Sequence, residues 1–109
     1  MIISGGVNIY PAEVEAVLIE HPAVVDVAVF GVPDDEWGES VHAAVQLHET
    51  HGSTSSTEVE LTVFARARLS GFKVPRSFEF HRELPRAPTG KLAVRRLRDP
   101  HWHGRGTKI

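Results

Sequence analysis

The sequence contains no cysteine. That absence excludes a disulfide framework, thiol catalysis and cysteine-ligated zinc together. Long apolar runs are missing as well: nothing approaches the roughly 18 consecutive apolar residues that cross a bilayer, and no basic segment followed by an apolar stretch marks a secretory signal. The expectation is a soluble cytoplasmic domain with no membrane span. Lys and Arg are absent from residues 1–65, which hold 11 acids, whereas residues 66–109 hold all 12 bases and 3 acids. A basic second half suits an anionic ligand or an acidic surface, and equally suits neutralisation of one half by the other across a fold. Nucleic acid is not expected, because a pI near 6.4 lies far below a basic footprint and no aromatic ladder accompanies Arg95, Arg96 and Arg98.

What is present is enough for one core. A chain of 109 residues with 41% apolar and 24% charged residues matches a single globular domain. Ile2-Ile3 and Val7-Asn8-Ile9 flank Ser4-Gly5-Gly6, which predicts two short strands around a glycine turn. Pro11 opens a helix, with Glu13 and Glu15 near its positive end and Val14, Val17 and Leu18 on one face. His21-Pro22 is expected to end it. The β-branched run Val24 to Val32 reads as an interior strand closed by a turn at Pro33-Asp34-Asp35.

Val41, Ala43, Val45 and Leu47 alternate with polar or small residues as a second long strand. Glu49 to Thr57 reads as an exposed loop, and a helix follows from about Glu58 to Leu69. Ser77 to Arg82 alternates as a further strand carrying Phe78 and Phe80, and a last helix spans about Leu92 to Arg98, ending at Asp99-Pro100. The sum is an α+β fold: a small mixed β-sheet with packed helices and an N-terminal β-hairpin. Residues 1–100 form the domain in this reading, and 101–109 a polar tail.

Two segments carry candidate chemistry. Gly5 and Gly6 allow a backbone to approach a ligand, although the segment has neither dinucleotide-loop nor phosphate-loop spacing and is by itself a hairpin turn. In Leu84-Pro85-Arg86-Ala87-Pro88-Thr89-Gly90-Lys91, two prolines and a glycine turn present Lys91 as a compact charge able to neutralise a carboxylate and a phosphate while they react. A solvated lysine after a turn is the plain alternative. Seven histidines raise the question of metal. His101-x-His103 and His48-x-x-His51 have chelating spacing, but both pairs lie in polar termini or loops, so incidental surface histidines and no metal site are expected.

Four segments in order resemble the C-terminal domain of the adenylate-forming superfamily, which includes acyl-CoA synthetases, luciferases and the adenylation domains of peptide synthetases. They are Ile2 to Glu15, Val27 to Asp34 continuing to Trp37-Gly38-Glu39, Phe72-Lys73-Val74-Pro75, and Leu84 to Lys91. The wording Ser-Gly-Gly-Val-Asn-Ile-Tyr-Pro is most like fatty-acid and other acyl-CoA synthetases. The resemblance implies the mobile lid of an AMP-forming acid–thiol ligase, with Lys91 as its catalytic residue on the turn Pro88-Thr89-Gly90. It implies ATP, Mg²⁺ and CoA in the complete enzyme, a carboxylic acid substrate, and a large N-terminal adenylate-binding domain as partner. This chain alone is expected to be inactive and to bind none of them. Ser4, Gly5, Gly6 and Val7 are implied on the CoA side, as are Lys73 and Arg76, for which a strand-edge role is the alternative. Met1 fits an internal position of such an enzyme as well as a start. A free-standing interaction or regulatory module with the same fold is the competing function.

Overall fold

Residues 1–48 and 55–102 are described by a computed structural model. The chain opens on strands β1 (Ile2–Ser4) and β2 (Val7–Ile9), which pair antiparallel with Ser4 opposite Val7. Helix α1 (Pro11–Leu18) starts on its proline, as predicted, and buries Val14 and Leu18. The two long strands β3 (Val24–Asp34) and β4 (Gly38–Leu47) follow, paired antiparallel along their length. Helix α2 (Ser55–Arg66) then crosses to β5 (Ser77–His81), which pairs parallel with β4, and α3 (Val94–Trp102) closes the domain. The sheet is therefore mixed, in the order β2-β1-β4-β3, with β5 also on β4.

Helices cover both faces. One core joins Ile9, Leu18, Val29, Val45 and Leu61 beneath α1 and α2, and the second joins Ala28, Phe30, Ala44, Leu84 and Leu97 beneath α3. This double cover explains why Val41 through Val45 are all buried, where the alternation in the sequence marks only one face as apolar. The second face of β4 is lined by His42 and Ala44, the small and polar residues of that alternation.

Several boundaries differ from the sequence reading, and at β3 and α3 the reason is tertiary. Strand β3 runs through Pro33 to Asp34, and Pro33 is tolerated because β3 is an edge strand. The turn comes later, where Asp34 Oδ1 accepts the N–H groups of Glu36 and Trp37, each at 2.9 Å. Helix α2 begins at Ser55, ahead of Glu58, so the expected loop shortens; its residues 49–54 lie outside the described ones. Helix α3 starts at Val94 and continues through Pro100 to Trp102. A proline there removes one intrahelical bond, but the last turn is held from outside: Trp102 Nε1 donates to the Gly31 carbonyl at 2.9 Å, and His101 reaches Glu79 at 2.9 Å. His101 and Trp102 are thus part of α3, not tail, and residues 103–109 lie outside the described ones.

The outer edge of β3 is closed by a side chain. Glu15 Oε2 on α1 accepts the Val29 N–H at 2.8 Å, so an edge donor that would otherwise face outward is satisfied.

Candidate functional site

Lys91 stands at the end of a small hairpin. Arg86 and Leu92 form an antiparallel bridge, Ala87 N–H donates to the Lys91 carbonyl at 2.8 Å, and Ala93 N–H to the Pro85 carbonyl at 2.8 Å. The three-residue loop Pro88-Thr89-Gly90 is closed by a Gly90 N–H to Ala87 carbonyl bond of 2.8 Å. Pro88 supplies the backbone angle that the second turn position wants, Thr89 keeps a negative φ, and Gly90 takes φ +90°. Only glycine adopts that last angle readily. The Arg86 guanidinium locks the loop further, donating to the Gly90 carbonyl at 2.8 Å and pairing with Asp26 on β3. Lys91 is exposed, so a rigid base presents a free-standing cation to whatever faces it.

The glycine motif forms a second presented turn. Ser4 pairs Val7, and the central Gly5 and Gly6 have φ +57° and +82°, the two positive angles of a type I′ hairpin. Gly6 is open: a Cβ there would meet nothing within 4 Å. Gly5 is not. Its N–H donates to the Trp37 carbonyl at 2.9 Å, and a Cβ would lie 2.5 Å from the Trp37 ring. Trp37 in turn carries the Arg76 guanidinium 4.9 Å from its ring centroid. The structure thus joins Gly5, Trp37 and Arg76 into one surface beside Ser4 and Val7. Lys73 is engaged differently: its ammonium lies 2.9 Å from Glu13, in a surface pair worth about 0–1 kcal/mol. Neither Trp37 nor Glu13 was a candidate from sequence, because their roles are contacts with residues far along the chain.

The two turns occupy opposite ends of the sheet. Ser4 pairs Gly38 at the start of β4. The lysine hairpin is anchored near the other end, through Arg86 on Asp26, which pairs Gln46, and through the Leu84 N–H on Gln46 Oε1 at 3.2 Å. Eight residues of extended strand separate Gly38 from Gln46, about 26 Å at ~3.3 Å per residue. One reacting centre cannot touch both turns at once.

A third group of side chains lies where α3 crosses β4 and β5, and no sequence spacing pointed to it. His42 Nε2 is 2.7 Å and His101 Nε2 is 2.9 Å from the same carboxylate oxygen, Glu79 Oε1, while His81 Nε2 pairs with Oε2. His42 Nδ1 sits 2.6 Å from Ser77 Oγ. Burial pushes the Glu79 carboxyl up, but hydrogen bonds from His101, His81 and His42, with the field of His42, outweigh it and hold the group below its ordinary value. Burial lowers His42, and its contact with Glu79 only partly opposes that. His42, which lies in neither of the two spaced pairs, is buried, and His101 is a surface histidine as expected but partnered by Glu79. His48 is exposed, while His51 and His103 fall outside the described residues.

Comparison with known proteins agrees with this architecture. The family model of the AMP-binding enzyme C-terminal domain matches residues 13–91. The long-chain-fatty-acid–CoA ligase of Bacillus subtilis (strain 168) is 50% identical over 97 residues, 89% of this chain and 17% of that enzyme. A fatty acid–[acyl-carrier-protein] ligase of Streptomyces coeruleorubidus is 42% identical over 108 residues, 99% of this chain and 20% of that one. The crystal structure of Brucella canis acyl-CoA synthetase matches with a TM-score of 0.87 at 39% identity, covering 92% of this chain and 18% of that chain. The chain belongs to the AMP-binding enzyme C-terminal domain family. It spans 17% to 20% of the length of these relatives.

Proposed function

We propose that this chain is the mobile lid of an ATP-dependent, AMP-forming acyl-CoA synthetase acting on a carboxylic acid of the fatty-acid class, in the cytoplasm. The observation that carries the reading is the pair of rigid presented turns, one bearing Lys91 and one bearing Gly5 and Gly6, at opposite ends of β4. Among the described residues no helix is long and apolar enough to cross a membrane.

In the first half-reaction a carboxylate oxygen attacks the α-phosphorus of ATP, the bond to pyrophosphate breaks, and an acyl-adenylate forms. Negative charge from two reactants converges there. Lys91, on a backbone that cannot yield, neutralises it. In the second half-reaction a thiol sulfur attacks the acyl carbon and AMP leaves. Rotation of the domain withdraws Lys91 and brings Ser4 to Val7 to the thiol channel, with Arg76 on Trp37 as the nearby cation for the CoA phosphates. Lys73, held by Glu13, has the lesser part. ATP and Mg²⁺ are assigned to the large N-terminal adenylate-binding domain of the same enzyme.

Lys91→Ala in the complete enzyme tests this. Removing one electrostatic stabiliser should slow adenylate formation by about two to three orders of magnitude, with thioester formation from supplied acyl-adenylate retained. Lys91→Arg should rescue poorly, since a planar fork does not replace a compact ammonium. If Lys91→Ala leaves adenylate formation within a few-fold of wild type, the lysine is a solvated turn residue and the free-standing module becomes the better reading.

A further inference from the structure

We propose that His42, Glu79 and His101 form a binding site for one divalent transition-metal ion of the zinc class, which clamps the end of α3 onto β4 and β5. The proposal is independent of the ligase reading, since none of these residues lies in either presented turn.

The donor set comes first. Two imidazole nitrogens and a carboxylate oxygen, one from each of three elements, lie within 4.8 Å of one another. Three protein ligands with an open fourth position is an arrangement zinc accepts. Ligand bonds of about 2.0–2.2 Å at tetrahedral angles require neighbouring donors about 3.2–3.6 Å apart. The nitrogens stand 2.7 and 2.9 Å from Glu79 Oε1, so a small outward shift makes room for an ion between them. Two imidazoles favour Zn²⁺, Co²⁺ or Ni²⁺ over Mg²⁺ or Ca²⁺, which prefer oxygen alone.

The surroundings are those of a held site. His42 is buried, its ring fixed between Phe30 and His101, with centroids 5.3 and 4.8 Å away. Its Nδ1 faces Ser77 Oγ at 2.6 Å. When Nε2 gives its electron pair to a metal, the ring proton resides on Nδ1 and is donated to the Ser77 hydroxyl, the outer-sphere partner that ligating histidines normally have. His81 steadies the carboxylate through Oε2. Entry is open, because Glu79 and His101 side chains remain 26% and 35% exposed.

The closing experiment is calorimetric titration of Zn²⁺ into the tag-free, metal-free 109-residue chain, in a buffer that does not chelate. One saturable equivalent is expected, with intense visible bands of four-coordinate Co²⁺ when cobalt replaces zinc. Because loss of buried His42 endangers the fold, the decisive variants are Glu79→Gln, which keeps the shape, and His101→Ala, each checked by circular dichroism. Each should weaken binding at least about tenfold, and Ser77→Ala by about tenfold, as outer-sphere partners usually do. His48→Ala and His103→Ala should leave it unchanged. Absence of a saturable step, a step that survives Glu79→Gln at full strength, or a step lost with His103→Ala would overturn the proposal and leave the cluster a hydrogen-bonded network.

Discussion

Glu15 shows how one side chain couples the strand edge to pH. Its carboxylate accepts the Val29 N–H, yet burial raises its pKa above the ordinary 4.5, the backbone bond opposes that, and nearby Asp26 adds to the rise. Asp26 is itself paired with Arg86. A carboxyl whose folded pKa lies above its unfolded one favours the native state while protonated. That contribution is full below the unfolded pKa and is lost as pH climbs through the folded pKa. Glu15→Gln keeps an acceptor for Val29 without the charge. Urea unfolding of both proteins from below pH 4.5 to neutrality should therefore show the variant gaining on wild type as pH rises, and a pH-independent difference would count against this account.

At the scale of elements, α3 is a short helix completed by its contacts. Pro100 interrupts its hydrogen bonding, and Trp102 and His101 tie the remaining turn to Gly31 and Glu79. Trp102→Phe keeps an aromatic six-membered ring and deletes the pyrrole ring with its N–H. The expected cost is at least about 1 kcal/mol in chemical denaturation, the net worth of one hydrogen bond, with the lost ring contacts added to it. Amide exchange of His101 and Trp102 should accelerate more than that of β3 and β4, because the loss is local. Uniform acceleration across the sheet would mean that this turn is not a separately held unit. The lysine hairpin is the opposite case: Pro88, Gly90, the Arg86–Leu92 bridge and the Arg86 side chain all specify the same loop.

For the whole molecule, the separation of the two turns makes their effects separable. Gly6 faces open space at φ +82°, so Gly6→Leu strains a turn and fills the approach to it without striking the core. On the proposed ligase reading, in the complete enzyme it should slow thioester formation from supplied acyl-adenylate and largely spare adenylate formation, the reverse of Lys91→Ala. Sites about 26 Å apart along the sheet share no partners, so in the double variant each half-reaction should show only its own loss, additive within about 0.5 kcal/mol. Equal loss of both steps from Gly6→Leu alone would remove the glycine turn from the thiol step.

The sequence by itself determined the parts whose physics is local. Gly5-Gly6 between extended residues, Pro11 at a helix start and Pro88-Thr89-Gly90 before Lys91 each act through backbone angles of a few neighbours, and each turn or start is where those residues put it. The periodicities of β4 and β5 likewise located both strands. Only the tertiary structure decided what register and helix docking decide. Burial of both faces of β4 depends on α3 arriving over Ala28 and Ala44, and passage of β3 through Pro33 depends on its place at the edge. Persistence of α3 beyond Pro100 depends on Gly31 and Glu79. The histidine cluster is the clearest instance, since positions 42, 79 and 101 have no mutual spacing in the chain. They meet because β5 pairs parallel to β4, with Ser77 opposite His42, and α3 lies across both.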